Sequence, residues 1–150
     1  MEDWLKQVKD NWNKTADSDW YKSLRTDAKI EALLNAPAKA FHLTVYALIN
    51  KYFPDLKGKK ILLPSSGDNH AAFAFALLGA DVTSADISER QLENAAIIAD
   101  KWKLDIEFIC DNTDIVKTSV LCVFCMAKKH EATGRQNPVA SFHFSISSKD

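Results

Sequence analysis

Three short apolar runs alternate with two helical segments over residues 57–113, and this order limits the fold more than any other feature of the chain. The runs cover residues 61–63, 81–86 and 106–110, and the segments between them carry apolar faces with helical spacing. Strands that alternate with helices form parallel sheets through right-handed crossovers. We therefore predict an α/β fold that contains half of a doubly wound, nucleotide-binding sheet.

The borders of the two predicted helices carry local signals. Gly79 stands where a left-handed cap would end the first helix. Ser88 and Gln91 form a capping box at the start of the second helix, in which the Ser88 hydroxyl and the Gln91 side chain each bind a free backbone amide. His70 begins the first helix, and we interpret it as a surface histidine, with contact to a ligand or action as a base as the alternative.

Residues 1–56 have helical spacing throughout. Trp4, Val8 and Trp12 recur every four residues, and a second apolar stripe follows Pro37, which suits a first helical turn. The second stripe consists of Phe41, Val45, Leu48, Ile49 and Tyr52. Because aromatic side chains dominate burial, we expect Trp4, Trp12 and Trp20 to pack in the core.

Residues 114–150 fit neither pattern. An apolar run over 119–126 begins only seven positions after Asn112, whereas a parallel return to the sheet needs a crossover of about 10–12 residues. We predict that this run is not the next parallel strand, and that it either pairs antiparallel beside the third strand or packs poorly. From Lys128 onward the chain is polar, and we expect a mobile end.

The overall charge and apolar content exclude several classes of partner. The 19 basic and 20 acidic residues give a net charge of −1, so there is no electrostatic reason to expect a nucleic acid or an anionic membrane. No apolar run approaches the roughly 20 residues that cross a bilayer, and the start of the chain is acidic where a secretory signal is basic. We predict a cytoplasmic location.

Polar residues follow the predicted strands where the strands end. Gly67 lies in the turn after the first strand, Asp86 ends the second, and Asp111 follows the third. In a parallel sheet these positions meet at the carboxyl edge, where free backbone amides hold polar ligand groups and a carboxylate accepts ribose hydroxyls. The sequence therefore predicts a nucleoside-binding site at this edge.

Residues 61–88, ILLPSSGDNHAAFAFALLGADVTSADIS, resemble motif I and the following acidic strand end of class I S-adenosylmethionine-dependent methyltransferases. Residues 108–113, FICDNT, resemble the third strand end of the same family. The resemblance implies a Rossmann-like three-layer sandwich with a partial, mostly parallel sheet. It also implies a helical lid over 1–56, a cofactor-binding half over 57–113 and an atypical tail over 114–150.

The resemblance implies S-adenosylmethionine as the cofactor and methyl transfer to an unknown acceptor as the reaction. The turn over 65–69 would contact the methionine part, Asp86 the ribose, and Asp111 and Asn112 the adenine. The expected cofactor-binding residues are Pro64, Ser65, Ser66, Gly67, Asn69, Asp86, Ile87, Asp111 and Asn112. No catalytic residue is predicted.

Motif I departs from the usual pattern of the family. Leu63 stands where the family has an acid, and Ser65 and Asn69 replace two of the three glycines, so that Gly67 alone remains. Asparagine tolerates a positive φ better than most residues, which makes Asn69 compatible with the turn. Ser65 can donate a hydroxyl, but it adds bulk where the ligand approaches.

The pattern changes abruptly at Asp114, before the later strands of this family. We interpret the chain as the product of a truncated or frame-shifted methyltransferase gene, which reading the other two frames of the coding DNA would test. One alternative is a non-catalytic remnant that binds the cofactor or self-associates through an unfinished sheet edge. A nicotinamide-dinucleotide domain is the other, although a lone Gly67 lacks the glycines that a pyrophosphate needs.

Two cysteines and a histidine in the tail suggest a competing metal chemistry. Cys122, Cys125 and His130 match three positions of a compact zinc site, but Arg135 stands near the fourth. Both cysteines lie in an apolar run, so we interpret them as small buried hydrophobes and predict no metal. A zinc site and a thiol redox pair remain as alternatives.

Overall fold

The computed structural model describes residues 2–110 and 121–122. Its elements follow in this order: α1 (Glu2–Ala16), α2 (Asp19–Leu24), α3 (Asp27–Asn35), the 3₁₀ helix η1 (Pro37–Ala40), α4 (Leu43–Tyr52), β1 (Lys60–Pro64), α5 (His70–Leu77), β2 (Asp81–Asp86), α6 (Glu89–Trp102), β3 (Ile106–Cys110) and β4 (Leu121–Cys122). Within this part of the chain, no helix has both the length and the apolar character needed to cross a membrane.

The strands form one parallel sheet in the order β3-β2-β1-β4. β2 lies in register between its neighbours, with Asp86 opposite Cys110 of β3 and Ala85 opposite Pro64 of β1. The strands β1, β2 and β3 therefore end at one edge, with α5 and α6 as crossovers between them. The α/β fold with a parallel sheet is confirmed.

The apolar run over 119–126 contains a parallel strand, and the prediction that it would not was wrong. β4 pairs with β1 through Ile61 opposite Leu121 and Leu62 opposite Cys122. Because β3 ends at Cys110 and β4 begins inside the run, residues 111–120 are available, which meets the lower limit for a crossover. β4 covers part of the β1 edge of the sheet, and self-association through an unfinished sheet edge stays a prediction.

Helix α5 lies at the centre of the core. Phe73 and Phe75 are fully buried on it, in two clusters. Phe73 packs with α3 and α6, whereas Phe75 packs with α4 and the strands β1 and β2. A helix that is apolar on all sides is a buried helix, and α3 and α4 supply the cover that α5 requires.

The predicted helix borders are confirmed in part. Gly79 follows α5 with φ +87°, as expected of a left-handed cap. The second apolar stripe of the N-terminal region does not lie on one helix. η1 begins at Pro37 and ends at Ala40, and α4 begins after His42. His42 caps α4 through Nδ1, which accepts from the Thr44 amide at 3.3 Å.

The three N-terminal tryptophans do not pack in the core, and that prediction was wrong. Trp4 is 63% exposed, Trp12 46% and Trp20 63%. The four-residue spacing forms α1 as predicted, but α1 and α2 lie outside the two core clusters and the tryptophans line a cavity. Helical periodicity identifies the apolar face of a helix but not what that face opposes.

Truncating Phe73 tests the central place of α5. We expect Phe73→Ala to lower the free energy of unfolding by about 3–5 kcal/mol, because it removes a fully buried aromatic ring and leaves a cavity. Leu43→Ala, at an 85% exposed position of α4, should change it by less than about 0.5 kcal/mol. Urea unfolding of both variants measures the difference, and similar losses would contradict this arrangement of the core.

Candidate functional site

The turn between β1 and α5 has Ser65 and Asn69 where the motif I pattern has glycine, and the backbone accommodates these two residues differently. Ser65 has φ +50° and Gly67 has φ +53°, so the serine occupies a left-handed position that favours glycine. Asn69 has φ −68° and caps α5, with its Oδ1 accepting from the Ala71 amide at 2.9 Å. Asn69 is therefore accommodated as a helix cap and not through tolerance of a positive φ.

Asp86 joins this turn to the start of α6. It is 7% exposed, and its Oδ2 accepts from the Gly67 amide at 2.8 Å while its Oδ1 accepts from the Ser88 amide at 2.8 Å. Each carboxylate oxygen keeps a further lone pair for a ligand. The second strand end thus holds a buried carboxylate whose position is fixed by two backbone donors.

The capping box of α6 forms only in one direction. The Ser88 hydroxyl accepts from the Gln91 amide at 3.2 Å, as predicted. The Ser88 amide donates to Asp86 and not to the Gln91 side chain, so that half of the prediction was wrong. The physical reason is that an ionised carboxylate two residues away is a stronger acceptor than a neutral amide oxygen.

Gln91, freed from the capping box, lies against the turn. A Cβ added to Gly67 would meet Oε1 of Gln91 at 1.7 Å, so a side chain at residue 67 requires the Gln91 amide to move. Gln91 is 4% exposed, and its Nε2 has no hydrogen-bond partner among the described residues. Gln91 was not predicted as a site residue, although the sequence places it in the first turn of the helix that follows the acidic strand end.

A cavity of about 810 Å³ opens above the turn. The predicted residues that line it are Ser65, Ser66, Asn69, Asp86 and Ile87. Further lining residues are Trp4, Leu5, Val8, Trp12, Trp20, Tyr21, Leu24, Ala40, Asp68, His70 and Gln91. Pro64 ends β1 and Gly67 lies in the turn, but neither lines the cavity, and Asp111 and Asn112 lie outside the described residues.

Polar contacts attach α1 to the start of α6 on one side of the cavity. Oδ1 of Asn13 accepts from the Ser88 hydroxyl at 2.8 Å and from the Arg90 amide at 3.2 Å. Two ion pairs join the same region: Lys9 with Glu89 at 2.6 Å, and Asp17 with Arg90 at 2.8 Å. The N-terminal helix is therefore attached beside Asp86 through hydrophilic groups.

A second attachment joins the end of α2 to the turn and α5. Nε of Arg25 lies 2.7 Å from Oδ2 of Asp68 in a largely buried ion pair, and the guanidinium also donates to the carbonyl of Ala16. Burial raises the pKa of the Asp68 carboxyl above its usual range, and the Arg25 charge opposes this effect. Asp68 was not among the predicted site residues.

His70 is fixed in one tautomer by α2. Its Nε2 lies 3.0 Å from the carbonyl oxygen of Leu24. Because a carbonyl only accepts, Nε2 carries the proton, and in the neutral ring Nδ1 is then a hydrogen-bond acceptor. His70 is partly buried and lines the cavity, so the interpretation of it as a simple surface histidine was wrong.

Comparison with known proteins gives a clear result for the fold. The chain is similar to the crystal structure of magnesium protoporphyrin IX methyltransferase (ChlM) from Synechocystis PCC 6803 with bound SAH, with a TM-score of 0.56 and 20% identity over 79% of this chain and 57% of that chain. The chain has the fold of this methyltransferase. A second solved structure, the PH0226 protein from Pyrococcus horikoshii OT3, has a TM-score of 0.47 and 21% identity over 68% and 46% of the two chains.

The sequence comparisons cover a smaller part of the chain. It is 38% identical over 63 residues to the uncharacterized methyltransferase YbaJ of Bacillus subtilis (strain 168), which is 42% of this chain and 25% of that protein. No family model matches the chain. The chain thus spans about a quarter of the length of this curated relative and just over half of the ChlM structure.

Substitution at two glycines separates backbone strain from contact with Gln91. Gly58 and Gly67 both have a positive φ, but a Cβ at Gly58 meets nothing within 4 Å. Gly58→Ala should therefore cost only the left-handed conformation, about 1–2 kcal/mol, whereas Gly67→Ala should cost about 1–3 kcal/mol more through overpacking. Chemical denaturation measures both. If Gly67→Ala lost the same additional free energy of unfolding in a Gln91→Ala background, that loss would not arise from contact with Gln91.

The burial of Asp68 predicts a pH dependence of stability. Because the pKa of Asp68 is raised in the folded protein, the folded state binds this proton more tightly than the unfolded chain. The free energy of unfolding should then fall as the pH rises from the usual carboxyl pKa through the raised one. Urea unfolding at a series of pH values should show this fall in the wild type and its loss in Asp68→Asn. Parallel curves for the two proteins would refute the assignment.

Proposed function

We propose that the protein is an S-adenosylmethionine-dependent methyltransferase of class I, acting on an acceptor that the sequence does not identify. The buried Asp86 carboxylate is the observation that carries this proposal. It ends β2, accepts from the Gly67 and Ser88 amides, and lines a cavity large enough for a nucleoside cofactor. The fold shared with a methyltransferase that was solved with bound SAH supports the same assignment.

The residues of the site fit this cofactor. The free lone pairs of Asp86 suit the two ribose hydroxyls, and the turn over 65–69 suits the methionine part. The absence of a side chain at Gly67 lets Gln91 pack against the turn, and its buried Nε2 is an amide donor that a polar ligand atom would satisfy. Asp111 and Asn112 complete the proposed set at the adenine.

When bound, S-adenosylmethionine supplies a methyl group on a positively charged sulfur, which makes that carbon reactive. The contribution of the chain is to bind, orient and exclude water, because alignment of reactants provides much of the rate of such a transfer. We assign the cover of the cavity to α1 and α2. α3 and α4 belong to the core, so the lid that we propose is shorter than the 1–56 region that the resemblance implied.

Calorimetric titration with S-adenosylhomocysteine tests the proposal. The wild type should bind, and Asp86→Asn should weaken binding about tenfold or more, because it removes a charged acceptor. Asp81→Asn is the matched control, since Asp81 begins the same strand at its opposite, exposed end. Gln91→Leu should weaken binding by a smaller factor and leaves the Asp86 contacts in place.

Parallel titrations separate the competing functions. NAD and zinc should give no heat of binding. Saturable binding of NAD in place of S-adenosylhomocysteine would favour a dinucleotide-binding domain and refute the proposal. A cooperatively folded wild type that bound neither S-adenosylhomocysteine nor NAD would also refute it, with thermal melting as the check on folding.

A further inference from the structure

An aromatic wall, formed by Trp4, Trp12, Trp20 and Tyr21, lines the same cavity as the polar turn. The three indoles are each about half exposed or more, and the rings of Trp20 and Tyr21 meet edge to face at 4.7 Å. Apolar surface of this kind in a folded protein marks a binding region when it is contiguous and concave. The wall lies on α1 and α2, outside the residues proposed to hold the cofactor.

The cavity has room for more than one ligand group. Its volume of about 810 Å³ is near the upper end of the range of small-molecule sites. The polar side, with Ser65, Ser66 and Asp86, suits a nucleoside and an amino-acid group. The aromatic wall suits a different chemistry, because indole rings stack favourably on other planar rings.

His70 adds one directed polar contact to this apolar side. The Leu24 carbonyl holds the proton on Nε2, so Nδ1 presents a lone pair. His70 and Leu24 both line the cavity, as does Tyr21 of the aromatic wall. A ligand that stacks on the wall and carries an O–H or N–H group could donate to Nδ1.

We propose that the methyl acceptor is a planar, ring-bearing small molecule with an O–H or N–H group, which stacks on the aromatic wall and donates a hydrogen bond to His70. This inference rests on the proposed function for its description of the ligand as an acceptor. The binding site itself depends only on the cavity, the wall and the tautomer of His70. A flexible aliphatic molecule fills the same volume without the stacking geometry and fits less well.

The experiment uses the full chain labelled with ¹⁵N and saturated with S-adenosylhomocysteine. The four indole N–H signals, assigned with single Trp→Phe variants, report where a ligand binds. The probes are 2-naphthol, its methyl ether, which has the ring but no donor, and 1-octanol, which has the donor but no ring. We expect 2-naphthol to move the signals of Trp4, Trp12 and Trp20 while that of Trp102, which does not line this cavity, stays in place.

Affinities from the same titrations test each part of the proposal. 2-Naphthol should bind about two- to twelvefold more tightly than its methyl ether, because the ether lacks one hydrogen bond. It should also bind more tightly than 1-octanol, by about two- to twelvefold for each aromatic ring that it contacts. Trp12→Leu and Trp20→Leu should each weaken 2-naphthol binding about two- to twelvefold. Leu43→Ala, which removes an exposed apolar side chain outside the cavity, should have no effect.

His70→Phe keeps an aromatic ring but removes the acceptor. The preference for 2-naphthol over its methyl ether should disappear in this variant, while the preference over 1-octanol remains. Retention of the methyl-ether preference would overturn the role of His70. Equal binding of 1-octanol and 2-naphthol by the wild type, or equal movement of the Trp102 signal, would overturn the ring site.

The outcome separates this inference from the proposed function. If S-adenosylhomocysteine binds and then blocks 2-naphthol, the wall serves the cofactor and the inference fails while the proposed function stands. If 2-naphthol binds as expected but S-adenosylhomocysteine does not, the ring site stands and its description as an acceptor site fails with the proposed function.

Discussion

The two hydrogen bonds that Asp86 accepts from backbone amides are the interaction on which the site depends. They fix the Gly67 turn against the start of α6, although Gly67 and Asp86 are 19 residues apart in the chain. A buried carboxylate without such donors would be costly. Because the donors come from the chain itself, the charge is stabilised before any ligand arrives, and the free lone pairs remain directed by the same geometry.

The N-terminal region divides into two parts with different physical roles. α3 and α4 contribute apolar side chains to the clusters around α5 and are part of the core. α1 and α2 are attached largely through polar groups, with their tryptophans turned to the cavity. Apolar burial is therefore concentrated around the sheet and α5, whereas α1 and α2 are joined to the rest of the fold mainly by hydrogen bonds and ion pairs, of which Arg25–Asp68 is largely buried.

The strands β1, β2 and β3 and the helices between them could be predicted because each has a local pattern that tertiary packing did not override. β4 was missed because the length limit on a crossover was applied to the whole apolar run and not to the strand within it. The burial of Trp4, Trp12 and Trp20 was misjudged because spacing shows which side of a helix is apolar but not what lies opposite. Gln91 was assigned to a cap because the capping-box pattern runs from Ser88 to Gln91 and leaves out Asp86, the stronger acceptor two residues before Ser88.

The two polar attachments of the α1–α2 region differ in how salt acts on them. The pairs of Lys9 with Glu89 and Asp17 with Arg90 are substantially exposed, so dissolved ions screen them, with a screening length of about 10 Å at 0.1 M salt. The Arg25–Asp68 pair is largely buried and is screened much less. Rising ionic strength should thus weaken the ion pairs between α1 and the start of α6 before it weakens the Arg25–Asp68 pair, so the two attachments differ in the salt concentration that they tolerate.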